Sequence, residues 1–149
     1  MEQIIQLNSN AKLSEHFMLG EFTRSGSHPE VYNIPSHEAI ANLKRLCVWL
    51  EELRARYNAP IRINSGYRSP QLNRAIGGVS NSNHLTGCAV DIRVENTEQL
   101  IRYAAILLDI SDLSREDYDE LLIEQKGSVY WIHFAVKASG NRRHTNFKR

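Results

Sequence analysis

The sequence predicts an α+β domain, a small and mainly antiparallel sheet with helices packed on one side. Two observations carry this expectation. Apolar residues recur at helical spacing in two long stretches, one after Ser36 and one after Asn96. Between and beyond them lie short runs rich in β-branched and aromatic residues, bounded by turn residues: AVDIRV, ELLIE and VYWIHFAV.

Taken in order, residues 13–36 read as loop, punctuated by Gly20, Gly26, Pro29 and Pro35. Ser36 has the chemistry of a helix N-cap, and Glu38 in the first turn complements the helix dipole. Ile40, Leu43, Cys47, Leu50, Leu53 and Tyr57 then mark one apolar helix face. The helix ends at Asn58-Ala59-Pro60, because proline disfavours helix in the residue before it. Ile61 to Asn64 reads as a short strand entering the Ser65-Gly66 turn. Ser69-Pro70 is a cap followed by proline at the first helical position, and Gly77-Gly78 closes that short helix. Ala89 to Val94 is the next strand. Asn96 or Thr97 caps the second long helix, with Leu100, Ile101, Ala104, Ala105 and Leu108 expected on its buried face. Strands at about 120–124 and 129–136 flank the turn-like QKGS.

The chain of 149 residues is long enough for one domain with a real core, so residues 1–149 are expected to form a single unit. Its motif-bearing part runs from about 13 to 136, followed by a basic tail at about 138–149. A formal charge of +1 argues against a nucleic-acid surface. The tail NRRHTNFKR is expected to be a frayed, solvated end, with an anchor to an anionic polymer as the second option. No apolar run approaches the length of a membrane span. MEQIIQLNSNAK lacks the basic start and apolar core of a secretory signal, which implies a cytoplasmic protein until it is released or exported. Two cysteines, Cys47 and Cys88, make no disulfide framework, although a single bridge between them stays open.

The chemistry concentrates between Ser65 and Asp91, SGYRSPQLNRAIGGVSNSNHLTGCAVD. His84 precedes Asp91 by seven residues, and His133 lies in the last apolar run. Asp91 and His133 each interrupt an otherwise apolar strand, where an unpaired polar group is costly. A shared divalent ion supplies a reason for them. Two imidazoles and a carboxylate suit zinc and leave one coordination position open, as a catalytic zinc requires. Each histidine can also be read as a hydrogen-bonded core residue, and spacing alone does not decide between the two. Cys88, four residues after His84, reads better as a small buried apolar residue than as a ligand. His16, His28, His37 and His144 fall in loop, cap or tail contexts and read as surface groups.

SGYRSPQLN, GGVSNSNHLTGCAVDIRV and WIHFAV, in this order, resemble the motifs of the zinc D-Ala-D-Ala carboxypeptidase family of peptidoglycan peptidases. LSEHFMLGEFTRS resembles the opening of its shorter bacterial and phage-type members. The resemblance implies that His84, Asp91 and His133 hold one zinc ion and that Arg68 reaches into the site. There Arg68 would stabilise an oxyanion or grip a substrate carbonyl or carboxylate, and Ser82, beside the metal loop, would support a ligand or contact substrate. Tyr67 and Asn73 would shape that loop.

Several branches of the family carry an acidic residue three positions before the last histidine ligand; here that position is Tyr130. A hairpin joining the last two strands would put residues 120, 122 and 124 on the face of His133, and the resemblance to the shorter members, which end that strand with Glu, implies Glu124 as the general base with Glu120 as the fallback. The expected activity is zinc-dependent hydrolysis of peptidoglycan peptides containing D-amino acids, as a D-Ala-D-Ala carboxypeptidase or related endopeptidase. The alternative is a metal-stabilised module that binds cell-wall peptide without cleaving it. Oligomeric state is not legible in the chain.

Overall fold

A computed structural model describes residues 8–148. Most of the stretch read for a leader, residues 1–7, lies outside the described residues, as does Arg149 of the tail. The elements are α1 (Leu19–Thr23), α2 (His37–Tyr57), β1 (Ile63–Ser65), α3 (Pro70–Ala75), a 3-10 turn (Asn83–Thr86), β2 (Ala89–Arg93), α4 (Thr97–Ser114), β3 (Glu120–Lys126), β4 (Val129–Ala135) and β5 (His144–Lys148). The sheet order is β1-β2-β4-β3-β5, antiparallel throughout except that β5 runs parallel to β3. The fold is α+β, as the sequence predicts.

The capping chemistry read from sequence is in place. Ser36 Oγ accepts from Ala39 N–H at 3.1 Å, Ser69 Oγ from Leu72 N–H at 3.1 Å, and Asn96 Oδ1 from Gln99 N–H at 2.8 Å. Each satisfies an orphan donor of a first helical turn. At its far end α2 stops at Asn58 in the left-handed conformation, just before Ala59-Pro60. A two-residue turn, Gly127-Ser128, joins β3 to β4, with Gly127 at φ +62°.

The sheet divides the molecule into a packed face and a reactive one. Val90 pairs with Phe134 and Ile92 with Ile132 across β2 and β4, and Leu121 and Ile123 continue these rows on β3. These side chains join Leu43, Leu46, Leu50 and Leu53 of α2, and Tyr103 and Leu107 of α4, in one core. Full burial of a leucine contributes about 1.5–3 kcal/mol. Trp49 meets Phe134 at 5.4 Å between ring centroids, and Tyr57 of α2 meets Tyr103 of α4 edge-on at 4.8 Å. The alternate positions of the same strands, among them Asp91, His133 and Leu122, point to the opposite face.

Four details differ from the sequence expectation, and one open question is answered. The buried face of α4 is Leu100, Tyr103, Leu107 and Ile110, whereas Ile101 is 61% exposed and Ala105 is also exposed. An Ala104–Ala105–Leu108 stripe would bury less area than one built around Tyr103, so the helix turns the aromatic inward. Residues 19–23, read as loop, form α1, whose Phe22 is fully buried. The first strand begins at Ile63 rather than Ile61. The tail is not frayed: His144–Lys148 pairs with β3, although its side chains are solvated. Cys47 and Cys88 are both buried and free, so no bridge joins them. No described helix is long and apolar enough to cross a membrane.

Candidate metal centre

Asp91 and His133 are directly opposed residues of β2 and β4, so register alone places them side by side on the open face. His84 arrives from the 3-10 turn that follows the loop of residues 77–82. Ser82 Oγ caps this turn by accepting from His84 N–H at 3.1 Å, and Gly87 ends it at φ +76°. The three side chains are buried, and their donor atoms all lie within 4.8 Å of one another. Asp91 Oδ1 sits 3.2 Å from His84 Nε2 and 3.2 Å from His133 Nδ1. A tetrahedral zinc with bonds of ~2.0–2.1 Å spaces its donors by about 3.3 Å, so this geometry suits the ion.

The opposite nitrogen of each ring is occupied. His84 Nδ1 is 2.6 Å from the Gly66 carbonyl, which accepts its N–H and turns Nε2 toward Asp91. His133 Nε2 is 3.0 Å from Glu120 Oε1. Burial alone would raise the Asp91 carboxyl, but His84 and His133 beside it hold it well below the carboxylate range. Burial opposes charge on His133, yet its hydrogen bonds to Asp91 and Glu120 push it up to about 9. The hydrogen bond to His133 holds Glu120 down at about 2. These opposed shifts come from the pairing of His133 with the Asp91 and Glu120 carboxylates on its two sides.

The cluster opens into a cleft of about 600 Å³ lined by Arg68, Ser82, His84, Glu120, Glu124 and His133. Arg68 donates to Asp91 Oδ2 at 3.2 Å, to Ser65 Oγ at 3.2 Å and to Asn73 Oδ1 at 3.4 Å. Asn73 in turn donates to Val79 O at 2.9 Å and braces the loop above the cleft. Glu124 lies opposite Trp131, two residues before His133, and accepts from its indole Nε1–H at 3.0 Å. Its other oxygen, Oε2, faces Lys148 Nζ at 3.9 Å. All seven residues singled out in the sequence, Arg68, Ser82, His84, Asp91, Glu120, Glu124 and His133, are therefore brought together, with Glu120 against His133 and Glu124 facing the cleft.

Other contributors were not foreseen. Lys137, Arg142 and Lys148 line the cleft from the C-terminal segment. Asp119, with no exposed surface, takes hydrogen bonds from Arg142 Nε and Nη2 at 3.0 and 2.9 Å and from Asn83 Nδ2 at 3.0 Å. Burial would raise Asp119, but these donors hold it down at about 2. Asn83 also donates to Glu120 Oε1 at 2.7 Å. Adjacency to His84 was the one available signal for Asn83; long sequence separation concealed Asp119 and Arg142.

No curated protein sequence matches the chain. A family model described as Peptidase M15 matches residues 15–118, well over half of the sequence. The matched part holds Arg68, His84 and Asp91, and register supplies His133 from beyond its end. M15 enzymes are zinc peptidases and include the D-Ala-D-Ala carboxypeptidases that the sequence motifs resemble. On that match, and with a His/Asp/His cluster of suitable spacing on the open sheet face, the chain belongs to the peptidase M15 family.

Proposed function

We propose that the protein hydrolyses peptidoglycan peptides containing D-amino acids, as a D-Ala-D-Ala carboxypeptidase or related endopeptidase, with His84, Asp91 and His133 holding one zinc ion. The observation carrying this reading is the buried triad opening into a cleft that also presents a carboxylate, Glu124, and a guanidinium, Arg68. When bound, zinc supplies Lewis acidity toward a carbonyl oxygen and a water molecule.

The chain's own groups divide the remaining work. Trp131 occupies Glu124 Oε1, so Oε2 is the oxygen that takes the proton of the attacking water and returns it to the departing amine. Lys148 Nζ lies 3.9 Å from that oxygen, at the outer edge of the cleft. Arg68 is anchored by Ser65, Asn73 and Asp91 and holds the substrate carbonyl or a peptide carboxylate in a fixed orientation. Ser82 Oγ accepts from His84 N–H, and its O–H remains as a donor to substrate. Both the family and the Glu124 carboxylate in the cleft favour an enzyme over a binding module.

The test is incubation of zinc-loaded protein with defined muropeptides, read by mass spectrometry beside a chelator-treated control. Cleavage that disappears on chelation and returns with zinc is expected, and the product masses name the bond. Absence of cleavage across a broad D-amino-acid panel, with zinc bound, would sink the proposal.

A further inference from the structure

Glu120 and Glu124 lie on the same strand face but have different surroundings. Glu124 faces the cleft, whereas Glu120 Oε1 is taken up by His133 Nε2 at 3.0 Å and Asn83 Nδ2 at 2.7 Å. The nitrogen of His133 that Glu120 contacts is the one turned away from Asp91. We propose that Glu120 is a positioning residue for the metal centre: it accepts the Nε2–H of His133 and so presents Nδ1 to the ion, while Asn83, Asp119 and Arg142 hold it in place. This inference rests on the reading of His84, Asp91 and His133 as a metal site.

The chemistry is that of a neutral imidazole, which carries a single proton. A carboxylate on one nitrogen fixes the proton there, orients the ring and leaves the other nitrogen as a lone pair of raised basicity. Glu120 needs its own support, because an ionised side chain at a strand end has many rotamers. Asn83 bridges it to Asp119, donating to Glu120 Oε1 and Asp119 Oδ2. Asp119 in turn accepts from the Arg142 main-chain N–H at 3.1 Å and from its guanidinium at 3.0 and 2.9 Å. Since His84 follows Asn83 in the chain, one network ties the turn carrying the first ligand to the strand carrying the third. Arg142, nine residues beyond His133, thereby reaches the metal centre without touching it. Glu120 Oε1 is thus committed to the ring it orients, and its Oε2 lies 3.7 Å from Arg142.

The experiment uses the full chain and reads metal binding rather than turnover. Zinc affinity is measured by chelator competition for wild type, Glu120→Ala and Glu120→Gln. In parallel, histidine-¹⁵N-labelled wild type is loaded with ¹¹³Cd and scalar couplings are recorded. Expected are coupling to His133 Nδ1, a loss of about 10- to 100-fold in zinc affinity for Glu120→Ala, and near-complete rescue by Glu120→Gln, whose amide oxygen still accepts Nε2–H. Coupling to His133 Nε2 would overturn the proposal even if Glu120→Ala failed to fold, as would unchanged affinity in Glu120→Ala. Wild type that takes up neither metal would instead overturn the metal reading on which the proposal rests.

Discussion

Asp91 and His133 face each other as paired residues of β2 and β4, with Oδ1 of the carboxylate 3.2 Å from Nδ1 of the imidazole. In the metal-free protein that contact needs a proton, and His133 is accordingly pushed up to about 9 by its hydrogen bonds to Asp91 and Glu120, against the cost of burial. A raised value means that the charged pair contributes stability fully below the ordinary histidine range and loses it as pH rises through about 9. Zinc needs the same nitrogen deprotonated. Binding at pH 7 is therefore expected to expel about one proton per ion, and affinity should climb with pH until about 9. Calorimetry in buffers of differing ionisation enthalpy measures the proton count; a value of zero would show that His133 is already neutral or is not a ligand.

Glu124 is expected to act in turnover and not in metal binding. It touches none of the three clustered residues, and its recorded partners are Trp131 and Lys148. Glu124→Gln keeps the hydrogen bond from Trp131 but cannot take a proton. Its kcat should fall by roughly 10²- to 10⁴-fold, with zinc stoichiometry and affinity unchanged. Full activity in this variant would move the base elsewhere; lost zinc would make Glu124 part of the metal site.

Arg68 anchors through three separate acceptors, Ser65, Asn73 and Asp91. A lysine has one nitrogen and cannot span them while also reaching substrate. Arg68→Lys is expected to cut kcat/KM by about 10²- to 10³-fold, the range for a lost oxyanion donor. Steady-state kinetics on the best muropeptide would decide, and near-wild-type values would reduce Arg68 to a loop brace.

Much of this site was legible because period-two alternation is a local property. The pleat puts Asp91 opposite the faces of Val90 and Ile92, and a two-residue turn sets 120, 122 and 124 beside His133. Helix ends were legible because Ser36, Ser69 and Asn96 cap by contacts within three residues. What escaped depends on distant partners. The parallel pairing of β5 follows a loop that brings Arg142 to Asp119, and nothing within NRRHTNFKR announces it. The face of α4 was misjudged because the apolar residues of AAILLDI encircle the helix, and distant partners such as Tyr57 of α2, against Tyr103, go with the side that is covered. The different surroundings of Glu120, against His133 and Asn83, and Glu124, against Trp131, were not legible from a shared strand face alone.

Gly87 ends the turn carrying His84 at φ +76°, and a Cβ there would lie 2.5 Å from the Ala39 carbonyl oxygen in the first turn of α2. Both the left-handed backbone and the close helix approach exclude a side chain. Gly87→Ala is expected to cost about 1–3 kcal/mol for the backbone alone, with displacement of α2 adding to it. At roughly 2–4 °C per kcal/mol for a domain of this size, the melting temperature should fall by several degrees. An unchanged melting temperature would mean that the turn and α2 separate freely.

Asp119 provides the sharpest test of how the C-terminal segment is held. Its carboxylate has no exposed surface and is held down at about 2, where the donors on Arg142 and Asn83 outweigh burial. A depressed value contributes stability above the ordinary aspartate value of 3.8 and loses it as pH falls through about 2. Asp119→Asn removes the charge and converts one acceptor into a donor facing Arg142. At pH 7 it is expected to destabilise the protein by on the order of 1–3 kcal/mol, toward the lower end because Arg142 is half exposed and its charge is screened. The difference between wild type and variant should then shrink between pH 4 and pH 2, as wild-type Asp119 takes up its own proton. Urea unfolding at stepped pH measures both curves. Parallel curves across that interval would show that Asp119 is not the group through which β5 and its arginine are fastened to the sheet.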